Sequence, residues 1–303
     1  MEVPDTGGAV VSGEVDRPVS VGVDGSASAV DAVRWAAREA GRRRVGLRLI
    51  AASGWMPVES GDDSMQLEPS ARDALRQAAE LHLDEAATEA SAVVPEVQVA
   101  RVVLTGYPTA VLVAESATAR LVVVGDRGLG GFEGLLVGSV APALAAHAHC
   151  PVVVVRGLGG GTPPPEGGPV VVGVDGSPAS EAALEFAVEE AVSLGAPLVA
   201  VHAWQDIAVG DARGRLLYAD SVADEARARL DEGLAPWRAK HPELVIEPVV
   251  VRDRPAQALV RCSAGALLVV VGSRGRGALT GLLLGSVSQA VLHHAASPVA
   301  VVR

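Results

Sequence analysis

Short apolar segments alternate with longer amphipathic segments along most of the chain. The apolar segments are rich in valine, as in VVVGVD, LVAVHA and LLVVVGS, and their continuous hydrophobicity predicts strands buried on both faces. The segments between them repeat apolar residues every three or four positions, which predicts helices. One such helix is expected to start at Ser177-Pro178 and to end at Gly195. Strand and helix in alternation predict a parallel sheet with helices on both faces.

The same alternation occurs twice in the chain. VSVGVDGSASAVDAVRWAAREA, beginning at Val19, matches VVVGVDGSPASEAALEFAVEEA, beginning at Val170. A repeat of this length indicates a duplicated domain, and the glycine- and proline-rich segment between the copies is typical of a linker. The sequence therefore predicts an α/β fold with two tandem open parallel sheets of about five strands each. The predicted boundaries are a flexible N-terminus at 1–18, domains at 19–156 and 170–303, and a linker at 157–169.

Composition narrows the range of partners. The 303 residues carry a formal net charge of −11, which argues against nucleic acid and anionic membrane as partners. No apolar run approaches the ~20 residues that span a bilayer, and the N-terminus lacks the basic and apolar regions of a signal peptide. The two cysteines occupy non-equivalent places in the repeat, so no disulfide framework is expected. We therefore expect a cytoplasmic protein.

Some polar clusters have a simple structural interpretation. Arg42, Arg43 and Arg44 stand at the end of a predicted helix, where cations complement the helix dipole, so we interpret them as a surface cap. The HAHC segment at 147–150 and the pair His293-His294 lack a second ligand cluster. Because histidine at a helix end can donate to the terminal carbonyls, no metal site is predicted. The matching Trp55 and Trp204 are expected in the core or beside a ligand.

Two loops of each copy carry the candidate chemistry. An aspartate, Asp24 or Asp175, follows the first predicted strand, and a glycine motif of fixed spacing follows the fourth. Glycine lets backbone amides approach a ligand, and the Gly-Ser pair that ends the motif opens a helix whose first amides attract anions. The motif predicts a phosphate-bearing ligand, and turn formation alone is the alternative. Its residues are Gly125, Gly128 and Gly138-Ser139 in the first copy and Gly272, Gly275 and Gly285-Ser286 in the second.

At these residues the sequence resembles the universal stress protein family, in its tandem, ATP-binding form. The family motif Gly-2x-Gly-9x-Gly-(Ser/Thr) is complete in both copies, each of which begins with VGVDGS. The resemblance implies an adenine nucleotide alpha hydrolase-like fold with strand order 3-2-1-4-5 and pairing of the domains through their last strands. It also implies ATP as ligand, with or without Mg²⁺, and a nucleotide-dependent role in regulating a stress or dormancy response through an unidentified protein partner. A homodimer of the chain is left open.

The resemblance assigns nucleotide contacts to matching positions of the two copies. These are Gly22, Asp24, Gly125, Asp126, Arg127, Gly128, Gly138, Ser139 and Val140 in the first copy, and Gly173, Asp175, Gly272, Ser273, Arg274, Gly275, Arg276, Gly285, Ser286, Val287 and Ser288 in the second. The first copy has Ala141 where the second has Ser288, which removes a hydroxyl, and Asp126 where the second has Ser273, which adds a negative charge. We therefore predict weaker binding at the first site.

An enzyme is the alternative to a regulator. A slow ATP hydrolase or an adenylyl-transferring protein would use the same cleft. The chain has neither the Walker lysine motif nor an SGGxDS-like loop, and no catalytic base is assigned, so regulation is favoured.

Overall fold

The computed structural model describes residues 17–53, 69–129, 137–156, 167–204, 212–277 and 283–303. Trp55 lies outside them. The first half contains β1 Val19–Gly22, α1 Ala27–Arg43, β2 Leu47–Ser53, α2 Pro69–Val93, β3 Val99–Thr105, α3 Pro108–Glu115, β4 Leu121–Gly125, α4 Val140–His147 and β5 Val152–Val155. The second contains β6 Val170–Gly173, α5 Pro178–Leu194, β7 Leu198–Trp204, α6 Ala212–Lys240, β8 Ile246–Arg252, α7 Pro255–Cys262, β9 Leu268–Gly272, α8 Ser286–His294 and β10 Val299–Val302.

Local sequence explains where the first helix of each half starts and ends. The Ser26 hydroxyl accepts a hydrogen bond from the Ala29 amide at 3.2 Å, and Ser177 caps α5 in the same way, with Pro178 at the first helical position. Helix α5 ends at Gly195 in the left-handed conformation, as predicted. Helix α1 ends at Arg44 in the same conformation, with φ 54°, although a side chain is disfavoured there.

The ten strands of the described residues form one sheet in the order β3-β2-β1-β4-β5-β10-β9-β6-β7-β8. Within each half the strands are parallel and follow the order 3-2-1-4-5, which confirms the predicted fold class. The halves meet where β5 runs antiparallel to β10, so pairing through the last strands is also confirmed. Val153 lies opposite Ala300, its own equivalent in the repeat, and an approximate twofold axis therefore passes between them.

Each face of the sheet has its own core, and both cores cross from one half to the other. One is formed by α1, α2, α5 and α6, with residues such as Ala32, Leu83 and Ala187 packed on inward-facing valines. The other is formed by α3, α4, α7 and α8 on the opposite face. The residues that end the two halves add a reciprocal link, because Arg156 donates to the carbonyl of Leu292 in α8 and Arg303 to that of Ala146 in α4, each at 2.6 Å.

The ends of α1 and α5 meet near the twofold axis. Glu39 and Glu190 occupy equivalent positions of the repeat, and both are 0% exposed. Arg43 donates to both carboxylates, and Arg42 donates to Glu39. Arg43 therefore joins the two halves, Arg42 pairs within its own helix, and both side chains are partly buried, so the interpretation of all three arginines as a surface cap is wrong. A helix end that is buried against its repeat partner cannot be recognised from one helix alone.

Burial and the neighbouring Glu39 carboxylate raise the pKa of Glu190 to about 7, although Arg43 acts in the opposite direction. One carboxylate oxygen of Glu190 is buried without a hydrogen-bond partner.

Candidate functional site

Each half contains a cleft of about 510 Å³ at the carboxyl ends of its strands. This volume lies in the range of small-molecule sites, and the position is where open α/β sheets bind ligands. The first cleft opens between β1 and β4 and the second between β6 and β9. The residues assigned from sequence come together here in both halves. All of them line the clefts except Ser273, which is 1% exposed.

The aspartate after the first strand ties the two loops of each cleft together. In the first half, Asp24 Oδ1 accepts from the amide and hydroxyl of Ser26, at 3.0 and 2.6 Å, while Oδ2 accepts from the Leu129 amide at 3.0 Å. Asp175 accepts from the Ser177 amide at 2.9 Å and from the Arg276 amide at 3.0 Å. The carboxylate therefore positions the glycine loop in addition to lining the cleft.

The pKa of Asp175 reflects this arrangement. Burial opposes ionisation, but hydrogen bonds from Ser177, Arg276 and Ser180 outweigh it and hold the pKa of the carboxyl below its usual range. Asp175 is therefore ionised at neutral pH. A carboxylate fixed in this way cannot approach phosphates without repulsion, and the apolar part of the cleft that it borders suits a nucleoside.

The glycines of the motif have different structural roles. At Gly275 an added Cβ would lie 2.5 Å from Asp175 Oδ2, so the absence of a side chain at this glycine leaves space for the Asp175 carboxylate. At Gly125 and Gly272 an added Cβ would lie 2.7 Å from the carbonyl carbon of Ser28 in α1 or of Ala179 in α5. Those two glycines let a strand end pack against a helix. The expected approach of their backbone to a ligand stays a prediction.

In both halves, the glycine loop that follows the fourth strand ends at the N-terminus of a helix. Helix α8 starts at Ser286, and the amide of Gln289 donates to the carbonyl of Gly285 at 3.0 Å. In the first half Pro142 stands where Gln289 stands in the second, and it has no amide for the corresponding bond. Helix α4 accordingly starts one residue later, at Val140, and the Ser139 side chain makes no capping bond to it.

Ser288 has a different contact from the one expected. Its side chain is buried, and its hydroxyl donates to the carbonyl of Gly272 at 2.6 Å. The single proton of the hydroxyl is used inside the protein. Ser288 therefore anchors the glycine loop, and the first half, which has Ala141, lacks this anchor.

The apolar walls of the clefts were not predicted from the sequence. Ile50 and Ala52 of β2 and Leu112 of α3 line the first cleft. The second cleft has the equivalent residues Val201, Ala203 and Leu259, together with Pro255. The matched segments RVVLTGYPTAVL and PVVVRDRPAQAL, which contain the wall residues of α3 and α7, carried a signal for them. It was indistinguishable from ordinary core packing, since apolar residues serve both purposes.

The structure also shows the surroundings of the tryptophan, histidine and cysteine residues that the sequence offered as candidates. Trp204 does not line the second cleft, and its ring lies 5.8 Å from the guanidinium of Arg252. His147 Nδ1 lies 2.8 Å from the carbonyl of Ala143, one turn earlier in α4. Burial raises the pKa of the Cys150 thiol to about 12, so it is not a thiolate at neutral pH. Among the described residues, no group of three or more histidine, cysteine or acidic side chains is arranged to hold a metal ion.

Within the described ranges, no helix combines the length and the apolar character needed to cross a membrane.

Known proteins resemble the chain over nearly its whole length. The model of the Universal stress protein family matches residues 17–156 and, separately, residues 168–303. Universal stress protein Rv2623 of Mycobacterium tuberculosis is 40% identical over 299 residues, which cover 96% of this chain and 98% of that protein. Universal stress protein Rv2005c of the same organism is 40% identical over 291 residues, covering 94% and 96%. A solved universal stress protein from Archaeoglobus fulgidus has the same fold, with a TM-score of 0.67 at 19% identity, covering 95% of this chain and 96% of that one.

Proposed function

The chain belongs to the universal stress protein family, and from that premise we propose that it is a regulatory protein that binds adenine nucleotide, above all ATP, in its two clefts. One observation carries the proposal. In each half, a single cleft of about 510 Å³ combines an apolar wall with a glycine loop and the N-terminus of a helix. An apolar wall suits a purine, and a helix N-terminus with adjacent glycines suits phosphates.

The arrangement assigns parts of the nucleotide to parts of the cleft. The base would lie against Ile50 and Leu112 in the first cleft and against Val201 and Leu259 in the second. Phosphates would lie near the first turn of α4 or α8. There Ser139 and Ser286 are exposed at the cleft and can donate their hydroxyl protons.

Regulation is supported by how the clefts are built into the molecule. Helix α8 presents its N-terminus to the second cleft, while Arg156 of the first half holds its C-terminal turn through Leu292. Helix α4 is held in the same reciprocal way by Arg303. A ligand that orders either helix N-terminus therefore acts on an element that both halves share. Such an effect on shared elements is how occupancy would bias a partner interaction.

The test begins with the purified full-length chain. Mass spectrometry of material released on denaturation, followed by calorimetric titration with ATP, should detect an adenine nucleotide and saturable binding. The matched control is Ala52→Phe combined with Ala203→Phe, which fills both clefts without changing charge and should abolish binding while the chain stays folded. Absence of any adenine nucleotide in both measurements would contradict the proposal.

A second readout separates regulation from catalysis. ATP incubated with the wild-type chain should be recovered unchanged, and conversion to ADP should not exceed that of the doubly filled variant. Turnover that depends on open clefts would instead support the hydrolase alternative.

A further inference from the structure

The two clefts differ in the charge of the side chains that line them. Among the described residues, the charged side chains of the first cleft are two carboxylates, Asp24 and Asp126, and one guanidinium, Arg127. Those of the second are one carboxylate, Asp175, and two guanidinium groups, Arg274 and Arg276. The second cleft is therefore more positive by two unit charges, although the two have equal volume.

The first unit of this difference comes from Asp126. Asp126 is 3% exposed and is one of the residues that line the cleft, and its carbonyl accepts from the Gly138 amide at 2.7 Å, at the entrance to α4. The equivalent Ser273 has the same backbone contact with Gly285 but does not line its cleft. Arg127 Nε lies 3.8 Å from the Asp126 carboxylate, so part of the positive charge in the first cleft is directed to Asp126.

The second unit comes from Arg276. Its amide donates a hydrogen bond to Asp175, and its guanidinium lies over Gly176, in the loop that borders the second cleft. The equivalent residue in the first half is Leu129. Its amide donates the corresponding hydrogen bond to Asp24, but its exposed side chain carries no charge. The backbone is thus conserved between the halves while the charge is not.

The arginines that end the halves do not cancel this difference. Arg156 interacts electrostatically with Asp126, and Arg303 stands at the equivalent position after β10. Since both halves carry this arginine, it contributes a similar charge to each cleft.

We propose that the two clefts take adenine ligands of different charge: the second takes ATP, and the first takes an adenine nucleoside or a nucleoside monophosphate. The inference rests on the proposed function and adds specificity to it. The apolar walls are alike, so the base should bind equally in both. Each unit charge at roughly 10 Å, with an effective dielectric constant of about 20, changes affinity on the order of tenfold for each charge on the ligand that it faces. Asp126 and Leu129 in the first half, and Ser273 and Arg276 in the second, are the specificity-determining residues.

The test measures each cleft separately. Ala203→Phe fills the second cleft and leaves the first to bind, and Ala52→Phe does the reverse, so the two variants are matched and uncharged. Both are titrated calorimetrically with adenosine, AMP and ATP, in EDTA and at low salt. The ratio of the affinities of the second to the first cleft should be near one for adenosine, rise for AMP and reach about a hundredfold or more for ATP, because the clefts differ by two unit charges.

A charge exchange then tests the residues themselves. Asp126→Ser with Leu129→Arg, placed in the Ala203→Phe chain, changes two unit charges and should raise ATP affinity at least about a hundredfold, with adenosine affinity unchanged. Ser273→Asp with Arg276→Leu, in the Ala52→Phe chain, should lower ATP affinity to the same extent. Native mass spectrometry of the wild-type chain, which needs no variant to fold, should show a single tightly held ATP.

The possible outcomes separate the two proposals. Equal ATP affinity in the two clefts, two equally held ATP molecules in the wild-type chain, or a charge exchange without effect would overturn the specificity proposal and leave nucleotide binding intact. Failure of every adenine ligand to bind the wild-type chain would overturn the proposed function itself.

Discussion

The two halves hold the same glycine loop with different hydroxyl groups. In the first half Ser28 of α1 donates to the carbonyl of Arg127, and the equivalent residue in the second half is Ala179. In the second half Ser288 of α8 donates to the carbonyls of Gly272 and Ser273, and the equivalent residue in the first half is Ala141. Each loop therefore has one buried hydroxyl anchor that the other loop lacks, and these two hydroxyls come from opposite faces of the sheet.

The Ser28 anchor changes how the missing hydroxyl at Ala141 is interpreted. From sequence, its missing hydroxyl predicts a weaker phosphate site, and Ala141→Ser is expected to narrow the gap between the clefts. In the structure, the hydroxyl anchors the loop, and the first half already has an anchor in Ser28. Differences in charge, and not in serine count, are what distinguish the clefts. The following variants test how far the two halves are equivalent, in order of decreasing effect.

The largest loss of stability is expected at Gly125 and Gly272, where the two halves have the same strand–helix contact. Gly125→Val and Gly272→Val each place a Cβ 2.7 Å from the backbone of the facing helix, so each should lower the free energy of unfolding by about 3 kcal/mol. Gly138→Ala is the control, because the nearest atom to its Cβ would lie 3.6 Å away, and it should cost less than about 1 kcal/mol. Urea unfolding measures all three. If Gly272→Val were as stable as Gly138→Ala, the close packing of β9 on α5 would be refuted.

The next effect comes from the interface, where the halves differ. Arg43 of α1 bridges the equivalent carboxylates Glu39 and Glu190, while α5 has Leu194 at the position of Arg43. A raised folded-state pKa of about 7 means that the folded chain binds a proton at Glu190 more tightly than the unfolded chain does. The contribution of Glu190 is thus most favourable below its unfolded pKa and is lost as pH rises from about 4.5 to about 7.

Glu190→Gln should remove this dependence, because the amide resembles the protonated acid. The variant should be more stable than wild type at pH 8, by up to about 3 kcal/mol, and close to it at pH 5. Unfolding by urea at a series of pH values measures the difference. The nearby and half-exposed Glu189 supplies the control, since Glu189→Gln should leave the wild-type slope unchanged. A Glu190→Gln curve parallel to wild type would show that Glu190 is ionised throughout.

The fold was predictable from sequence because its signals are local and occur twice. Valine-rich runs predict buried strands, Ser177-Pro178 and Gly195 delimit a helix, and the repeat predicts two equivalent sheets. The meeting of Glu39 with Glu190 was not predictable, since it depends on the twofold axis. A polar residue that faces its own repeat partner has the same helical pattern as one that faces solvent.

The site was predictable in position but less so in detail. The glycine spacing locates both clefts, yet it does not show that Gly125 and Gly272 contact helices while Gly275 makes room for a carboxylate. Likewise, the sequence does not show whether the Ser288 hydroxyl donates to a ligand or to a backbone carbonyl. Only the positions of nearby backbone atoms decide between such contacts.

A smaller effect is expected from the loop anchors. Ser28→Ala and Ser288→Ala each remove a hydroxyl donor from a loop carbonyl and should each cost about 1 to 2 kcal/mol of unfolding free energy. Ala141→Ser in wild type should change stability and ATP affinity little, because Ser28 already holds that loop. In the Ser28→Ala background, however, Ala141→Ser should restore part of the loss. Urea unfolding of the four chains measures this compensation, and a gain from Ala141→Ser that is the same in both backgrounds would argue against a shared role.

The smallest effect concerns the ends of α1 and α5, where equivalent residues adopt the same left-handed conformation. Arg44 has φ 54° and Gly195 has φ 61°, but only glycine adopts this region without steric cost. Gly195→Ala should therefore cost about 1 kcal/mol through backbone strain alone, since no atom lies within 4 Å of its added Cβ. Arg44→Gly should stabilise by about 0.5 kcal/mol, because relief of strain exceeds the added entropy of the unfolded chain. Thermal unfolding of both variants measures the pair. A loss of stability in Arg44→Gly would mean that the exposed Arg44 side chain contributes more than its backbone costs.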